Sequence, residues 1–285
     1  MIPRAAPQRA PPWKGQQLEK NRRGIQSVEL GSQVLQALAQ FGRPAGLTEL
    51  AQACDMPPGK VHPYLVSFMK VGFVARDPVS SLYELGHLAL ELGLAKLHRL
   101  NPVRDASQAI ADLAATTGHG TGLVVWGNLG PTLIRLEEPA HPLHVNLRIG
   151  TVMSLVHTAT GRLFAAYLPA KVVSRVLEAD PMGVHFGSRH QNRPEQSDYE
   201  RQLADIRSRG ISRTLGSPIP GIDAFCAPVF DSMGHIAVGL LVMGPSATFD
   251  SDWDGEIAQR LHACATDISR KLGYVETPAG QRKAG

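Results

Sequence analysis

The sequence predicts two folds in series: an N-terminal, all-α-rich winged helix-turn-helix over residues 24–86, and a C-terminal α+β domain with an antiparallel sheet over 101–274. Three observations carry this reading. Residues 27–86 run as helix, short helix, tight turn, helix and two short strands. From Thr117 onward strand-like runs come in hairpin pairs, with helical runs before, between and after them. A length of 285 residues suits about two domains, each large enough for its own core.

The first helix is expected over Ser27 to Phe41, where Val28, Val34, Leu35 and Leu38 recur with a mostly 3.6-residue period. Gly42, Pro44 and Gly46 stop it. Thr48 opens the second helix as a cap or first-turn residue, and Leu47, Leu50 and Ala51 supply its buried face. Asp55, Met56 and Pro57 make the turn. Val61, Leu65 and Phe68 lie at i, i+4 and i+7 and seat the third helix on the first two. That helix is expected to begin near Gly59 or Lys60, which puts Pro63 at the edge of its first turn. A kink is the alternative, because a proline inside a helix loses a bond and clashes with the preceding turn, at about 3 kcal/mol or more. Residues 73–76 and 81–84 flank Asp77-Pro78-Val79-Ser80 as a hairpin wing. In modules of this shape the second helix crosses the DNA backbone and the third enters the major groove. A helix-rich protein-interaction module shows the same periodicity.

Residues 87–100 read as a linker helix, apolar at helical spacing through Leu88, Leu92, Ala95 and Leu97. A stripe this long is covered by a partner chain or by packing within one chain. Asn101-Pro102 starts a helix that reaches about Thr116. Gly122 to Trp126 and Thr132 to Leu136 bracket Gly127-Asn128-Leu129-Gly130 as a hairpin, and Val152 to Val156 reads as another strand. Helices are expected over Thr160 to Leu168, Ala170 to Glu178 and Glu195 to Arg209. Ala224 to Phe230 and Ile236 to Met243 form a second hairpin, and Asp252 to Leu272 closes the domain as an amphipathic helix.

The residues also resemble a known family. Gly24 to Asp77 is similar to the DNA-binding domain of IclR-type bacterial transcriptional regulators. The strongest marks are Gly24-Ile25-Gln26-Ser27-Val28, Gly42-Arg43-Pro44, Leu47-Thr48-Glu49-Leu50-Ala51 and Val61-His62. His157-Thr158-Ala159-Thr160-Gly161-Arg162 is similar to the strand-to-helix turn of the family's effector domain. Cys226 to Asp231, followed by Gly244-Pro245, is similar to its later strands. The likeness spans about residues 22–274. It implies a GAF-like effector-binding domain, a linker region that helps build a dimer, and a pseudo-palindromic operator in double-stranded DNA. One departure stands out. Relatives commonly carry a small hydroxyl pair and an arginine around the Val-His dipeptide, whereas this chain has Gly59-Lys60 before it and Pro63 after it.

Charge is uneven along the chain. Residues 1–86 carry ten Lys and Arg against six Asp and Glu, and residues 87–285 carry nineteen of each. Residues 1–26 hold six basic side chains against Glu19 alone, so residues 27–86 sum to −1. The winged module is therefore not basic, and its attraction to phosphate must come from the placement of Arg43, Lys60, Lys70 and Arg76. An arm carrying Lys20, Arg22 and Arg23 adds to them. The arm, residues 1–23, and the tail, residues 275–285, read as disordered. The arm adds phosphate or minor-groove contacts, or it is a solvated tail. Lys60 and His62 are the candidates to reach base edges or phosphates, with Gly59 and Thr48 beside them. Tyr64 contacts phosphate or belongs to the core, three residues past Val61.

The effector site is expected at the turn His157-Thr158-Ala159-Thr160-Gly161, where a strand runs into a helix and backbone N–H groups point outward. A helix start favours a carboxylate by about 0.3–1 kcal/mol when exposed, and Gly161 lets a ligand approach the backbone. The resemblance places the pocket between this turn and the strands with Cys226, Leu241 and Met243. Relatives that bind small, very polar acids tend to show hydroxyls on that last strand, but here it reads Leu240-Leu241-Val242-Met243. The expectation is a larger or aromatic organic acid, with its anionic end at 158–161 and its apolar body on Leu241 and Met243. The alternative makes these two ordinary core residues.

Other classes find less support. No apolar run approaches the roughly 18 residues of a membrane-spanning helix, and no signal-peptide centre opens the chain. Cys54, Cys226 and Cys264 are few, far apart and odd in number, which suits a reducing cytoplasm and buried thiols. His141 and His144 are three apart, His185 and His190 five apart, and His157 and His235 stand alone; none follows a metal-ligand spacing, and no cofactor is expected. His157, Cys226 and Asp223 could imitate a nucleophilic set, yet no Gly-x-Ser-x-Gly elbow, phosphate loop or paired-carboxylate arrangement accompanies them. The expectation is thus an effector-responsive transcription factor acting as a homodimer or homotetramer. A ligand-binding sensor without DNA binding is the alternative, ahead of a small hydrolase.

Overall fold

The computed structural model describes residues 24–97, 100–138, 147–179 and 194–275. The arm with Arg22 and Arg23, the tail after Val275 and the pairs His141/His144 and His185/His190 lie outside the described residues. The chain divides after His98 into two compact units.

The N-terminal unit contains α1 (Gln26–Phe41), α2 (Leu47–Ala53), α3 (Pro58–Val71), β1 (Val74–Arg76), β2 (Tyr83–Leu85) and α4 (His87–Leu97). Val34 and Leu38 of α1, Leu50 of α2, Val61 and Leu65 of α3, and Val74 and Tyr83 of the wing close a single core. Gly42 and Gly72 end α1 and α3 in the left-handed region, at φ 59° and 84°, where a side chain would be strained. The wing pairs Val74 with Leu85 and Arg76 with Tyr83. Its loop is closed by Asp77, whose carboxylate accepts the N–H of Val79 (3.0 Å) and of Ser80 (3.3 Å). Ala45 and Tyr83 exchange backbone hydrogen bonds at 2.9 Å, which ties the wing to the turn before α2.

One local alternative is resolved here and two expectations change. Gly46 is the N-cap of α2, so Thr48 is a first-turn residue. The recognition helix starts earlier than Gly59: Pro57 is its N-cap, and Lys60 and Val61 both donate to the Pro57 carbonyl (2.9 and 3.2 Å). Pro58 occupies the first helical position, where a missing N–H costs nothing. Pro63 therefore lies in the second turn of an unbroken helix. The Gly59 carbonyl that it leaves without a partner is on an exposed residue, where water can serve it. In α4 the exposed leucines 90, 92 and 94 spread around the helix instead of following one stripe through Leu88, Leu92 and Ala95.

The C-terminal unit runs α5 (Pro102–Thr117), β3 (Gly120–Gly127), β4 (Gly130–Glu137), α6 (Ala159–Tyr167), α7 (Ala170–Ala179), α8 (Gln196–Arg209), β5 (Ser212–Thr214), β6 (Ile222–Phe230), β7 (Ile236–Pro245) and α9 (Glu256–Lys271). Its sheet has the order β4-β3-β7-β6-β5, with every neighbouring pair antiparallel. Side-chain alternation along β6 divides two cores. Phe225, Ala227 and Val229 face α5 and α9 with Ile110, Leu261 and Ile268. Cys226 faces the opposite way, toward Leu163 and Phe164 of α6. Helices thus cover both sides of the sheet, which accounts for the nearly continuous burial of β6 and β7.

The segment 152–156 is not a strand. Val152 makes one bridge to Thr132, and the chain then turns. The Ser154 hydroxyl accepts the N–H groups of Val156 and His157 (both 3.3 Å), while Thr158 donates to the Ser154 carbonyl (2.7 Å). Local hydroxyl bonding has prevailed over the β preference of the valines and leucine. The last helix likewise begins at Glu256 and not at Asp252, because the Asp250 carboxylate captures the N–H groups of Asp252 (3.2 Å) and Glu256 (2.9 Å) in a preceding turn.

Candidate functional site

Each unit holds one of the two surfaces that the sequence singles out as candidates. On α3 the buried residues are Val61 and Leu65, and the outer side presents Gly59, Lys60, His62 and Lys70 to solvent. Among the described residues neither Lys60 nor Lys70 has an ion-pair partner. Tyr64 is half-buried and packs over Gly31 of α1, where a Cβ would lie 3.2 Å from its ring. Arg76 on the wing donates from Nε to the Ser81 carbonyl (3.2 Å) with its guanidinium over the Tyr83 ring at 5.3 Å. Arg43 is more committed. It forms an ion pair with Glu49 and lies over Phe41 at 5.3 Å. The hydrogen bond to Glu49 raises the Arg43 pKa and holds the Glu49 carboxyl below the usual carboxylate range. Thr48 is exposed on α2. The charge that α3 itself offers a phosphate thus comes from Lys60 and Lys70.

In the C-terminal unit, Thr158, Ala159 and Thr160 at the start of α6 and Leu241 and Met243 on β7 line one small cavity of about 40 Å³. That is room for about three waters at roughly 10–15 Å³ each. Sequence reasoning missed the rest of the wall: Leu147 and Met153 on one side, Ile222 and Ala224 of β6, Thr214 of β5, and Ser217, Pro218 and Ile219 of the connecting loop. Ile222 and Ala224 share a face with Cys226 by two-residue alternation, so the strand period held that signal. The loop residues carried none.

Three expected pocket residues sit elsewhere. Gly161 does not open the backbone to a ligand: a Cβ on it would lie 1.9 Å from the Ser154 carbonyl oxygen. Its N–H is already taken by the N-capping hydroxyl of Thr158 at 2.9 Å. The glycine exists for close packing of α6 on the turn before it, which leaves the N–H groups of Ala159 and Thr160 as the outward donors of this helix start. Cys226 is fully buried beneath α6, its sulfur in the space beside Gly239 and Phe164. His157 is half-buried in the turn.

The same geometry separates the three residues that could imitate a nucleophilic set. Asp223 and Cys226 project from opposite faces of β6, and the Asp223 carboxylate is used by the Gly216 N–H (2.9 Å) and the Ser246 hydroxyl (2.6 Å). Burial pushes the Cys226 thiol up to about 12, against a small lowering by the neighbouring Thr160 hydroxyl. Such a thiol is not a nucleophile near neutral pH. A folded-state pKa above the unfolded value of about 8.5 stabilises the fold fully below that value, and this contribution is lost as pH rises toward about 12. Stability should fall by up to about 1.4 kcal/mol per pH unit above roughly pH 9 from this group alone. In alkaline denaturant titrations Cys226→Ala should show a correspondingly shallower decline; an unchanged slope would contradict the assignment. Among the described residues no three His, Cys, Asp or Glu side chains converge on a metal-sized site. No helix of the described residues is long and apolar enough to cross a membrane.

Comparison with known proteins matches both units in order. Residues 27–78 match the IclR helix-turn-helix domain, and residues 94–270 match the family described as bacterial transcriptional regulator IclR C-terminal. The chain is 28% identical over 265 residues to the HTH-type transcriptional regulator KdgR of Dickeya chrysanthemi, covering 92% of this chain and 84% of that one. It is 30% identical over 254 residues to the glycerol operon regulatory protein of Streptomyces griseus, covering 88% and 98%. The crystal structure of Pseudomonas aeruginosa HmgR superposes with a TM-score of 0.80 at 34% identity, over 89% of this chain and all of that one. With both domains matched along nearly their whole lengths, the chain belongs to the IclR family of bacterial transcriptional regulators, DNA-binding proteins with a C-terminal effector domain.

Proposed function

We propose that this regulator reads a pseudo-palindromic operator in double-stranded DNA as a homodimer or homotetramer in the cytoplasm, and that a larger or aromatic organic acid controls it. In this reading α3 enters the major groove, with Lys60 and His62 toward bases or phosphates and Lys70, Arg76, Thr48 and the arm with Arg22 and Arg23 along the backbone. Arg43 contributes by fixing the start of α2 through Glu49 as much as by its own charge. The acid places its carboxylate against the Ala159 and Thr160 N–H groups and its apolar body on Leu241 and Met243. The observation that carries this is the cavity itself, with a helix start in one wall and an apolar strand in the other.

The cavity, about 40 Å³, opens to solvent, so the body of an acid can extend beyond it. Ser217, Pro218 and Ile219, in the loop that follows β5, form a part of the wall outside the sheet ladder. A ligand that binds one arrangement of the regulator better than another shifts the population, which is what regulation requires; typical couplings are about 1–3 kcal/mol. A melting-temperature screen of organic acids tests the class. Aromatic and branched acids should raise the melting temperature, and Met243→Ser should shift the preference toward small polar acids. If only one- to three-carbon polar acids stabilise the native chain, the assignment of the apolar wall is wrong.

A further inference from the structure

A second cleft, of about 400 Å³, adjoins the small cavity and shares Thr214 and Ser217 with it. Its walls come from α6, α8, β5 and Trp253. Arg162, one residue beyond Gly161, is mostly buried there and has no carboxylate partner among the described residues. Its Nη1 donates to Gln202 Oε1 and its Nη2 to the Arg213 carbonyl, both at 3.1 Å, and its buried Nε has no acceptor among the described residues. Ser212 is fully buried on the same wall, and its hydroxyl is likewise without a partner.

The surrounding charge has one sign in excess. Arg213 donates to the Ser251 carbonyl (2.6 Å) with its guanidinium 4.1 Å from the Trp253 ring centre, and Arg209 lies over the same ring at 4.6 Å. The single carboxylate that the described residues put in the wall, Asp205, is already bound by Arg209 at 2.9 Å. Burial lowers the Arg162 pKa. Proteins seldom bury a cation without a counter-charge, or leave a buried N–H and a buried hydroxyl of one cleft unpaired, because each costs desolvation that nothing returns. An anion supplies all three missing partners at once: a charge for Arg162, an acceptor for Nε and an acceptor for Ser212 Oγ.

We infer that this cleft is an oxyanion site, separate from the apolar cavity, that takes the phosphate or carboxylate head group of a small metabolite between Arg162 Nε and the Ser212 hydroxyl. The guanidinium is suited to such a group because its planar donors match two oxygens of one anion. The cleft is several times larger than an inorganic phosphate, so a head group there leaves space for the rest of the molecule along Trp253. The site stands whether or not the neighbouring cavity binds an acid of its own. Arg162 lies in the first turn of α6 and bonds to Gln202 of α8 and Arg213 of β5, so an anion here would also act on the elements that frame the cavity.

Calorimetric titration of the full-length protein with inorganic phosphate, and separately with acetate, tests the inference and distinguishes a tetrahedral from a planar head group. Saturable binding of either ion is expected, with affinity reduced about tenfold in Ser212→Ala, as expected for removing one hydrogen bond to a charged group. Arg162→Lys keeps the charge but removes the Nε donor and should weaken binding at least as much. Should the lysine variant fail to fold, the serine variant decides the matter alone. Binding of the same strength in Ser212→Ala would mean that the ion sits elsewhere, for example on the basic arm, and would overturn the assignment. So would the absence of saturable binding by both ions.

Discussion

Gly161→Ala is expected to unfold the C-terminal unit. The added methyl would lie 1.9 Å from the Ser154 oxygen, 2.5 Å from its carbonyl carbon and 2.6 Å from the Leu155 Cα. All three are backbone atoms in a turn already held by Ser154 and Thr158, so no side chain can swing aside to make room. The helix start must then lift away from the turn, which separates the Thr158 cap from the Gly161 N–H and exposes Leu163 and Phe164 above the sheet. Overpacking in a core costs about 1–3 kcal/mol where side chains can adapt, and backbone contact puts this case at or above that range. Thr158→Ala, which removes the cap alone, should cost only about 1 kcal/mol. Limited proteolysis with circular dichroism checks the contrast: in the glycine variant residues 100–275 should be digested while the N-terminal unit, which has its own core, stays protected. Native-like melting of that variant would show that α6 does not depend on this close approach.

Lys60→Ala is the second large effect, and it falls on DNA and not on stability. The side chain is exposed at the start of α3, outside the core formed by Val61 and Leu65, so the fold should not notice its removal. The module sums to −1 over residues 27–86, and Arg43 is occupied by Glu49, which makes each remaining cation count for more. Operator affinity should fall about tenfold, and the slope of log affinity against log salt should drop by about 1 for each phosphate the protein no longer neutralises. His62→Ala should instead relax sequence preference, by about 1–3 kcal/mol at one base pair. Anisotropy titrations at several salt concentrations separate the two. An unaltered slope and affinity in Lys60→Ala would remove this residue from the interface.

What can be read in the sequence follows from which forces are local. The winged module is legible because glycines and prolines fix the ends of its helices and because each helix shows its core face at a 3.6-residue spacing. The two long hairpins are legible for the same kind of reason, with turn residues placed between apolar runs. The start of α3 is not, because Pro58 and Pro63 compete for the tolerated first turn, and only the Pro57 carbonyl, which accepts from Lys60 and Val61, shows which one has it. The segment at 152–156 misleads because hydroxyl bonds of Ser154 and Thr158 override its strand propensity. At the candidate effector site the start of α6 and the β7 wall can be named from sequence. Cys226 points toward the correct face but lies beneath α6, and Ser217, Pro218 and Ile219 of the loop after β5 reach the cavity only through long-range folding. The unpaired Nε of Arg162 leaves no trace in the sequence, since an arginine beside a glycine looks like any solvated charge until its surroundings are known.

In the proposed function α3 of this chain enters duplex DNA and occupancy of the C-terminal domain alters the outcome. Anisotropy of a labelled fragment from upstream of its own gene, titrated with the full-length protein at low ionic strength with and without a stabilising acid, tests it most directly. The expected result is saturable binding that weakens steeply with salt, is reduced by Lys60→Ala, and changes by about five- to 150-fold when the acid is present. Titrations in which folded protein leaves every fragment unbound, at any salt concentration and with any acid, would contradict it.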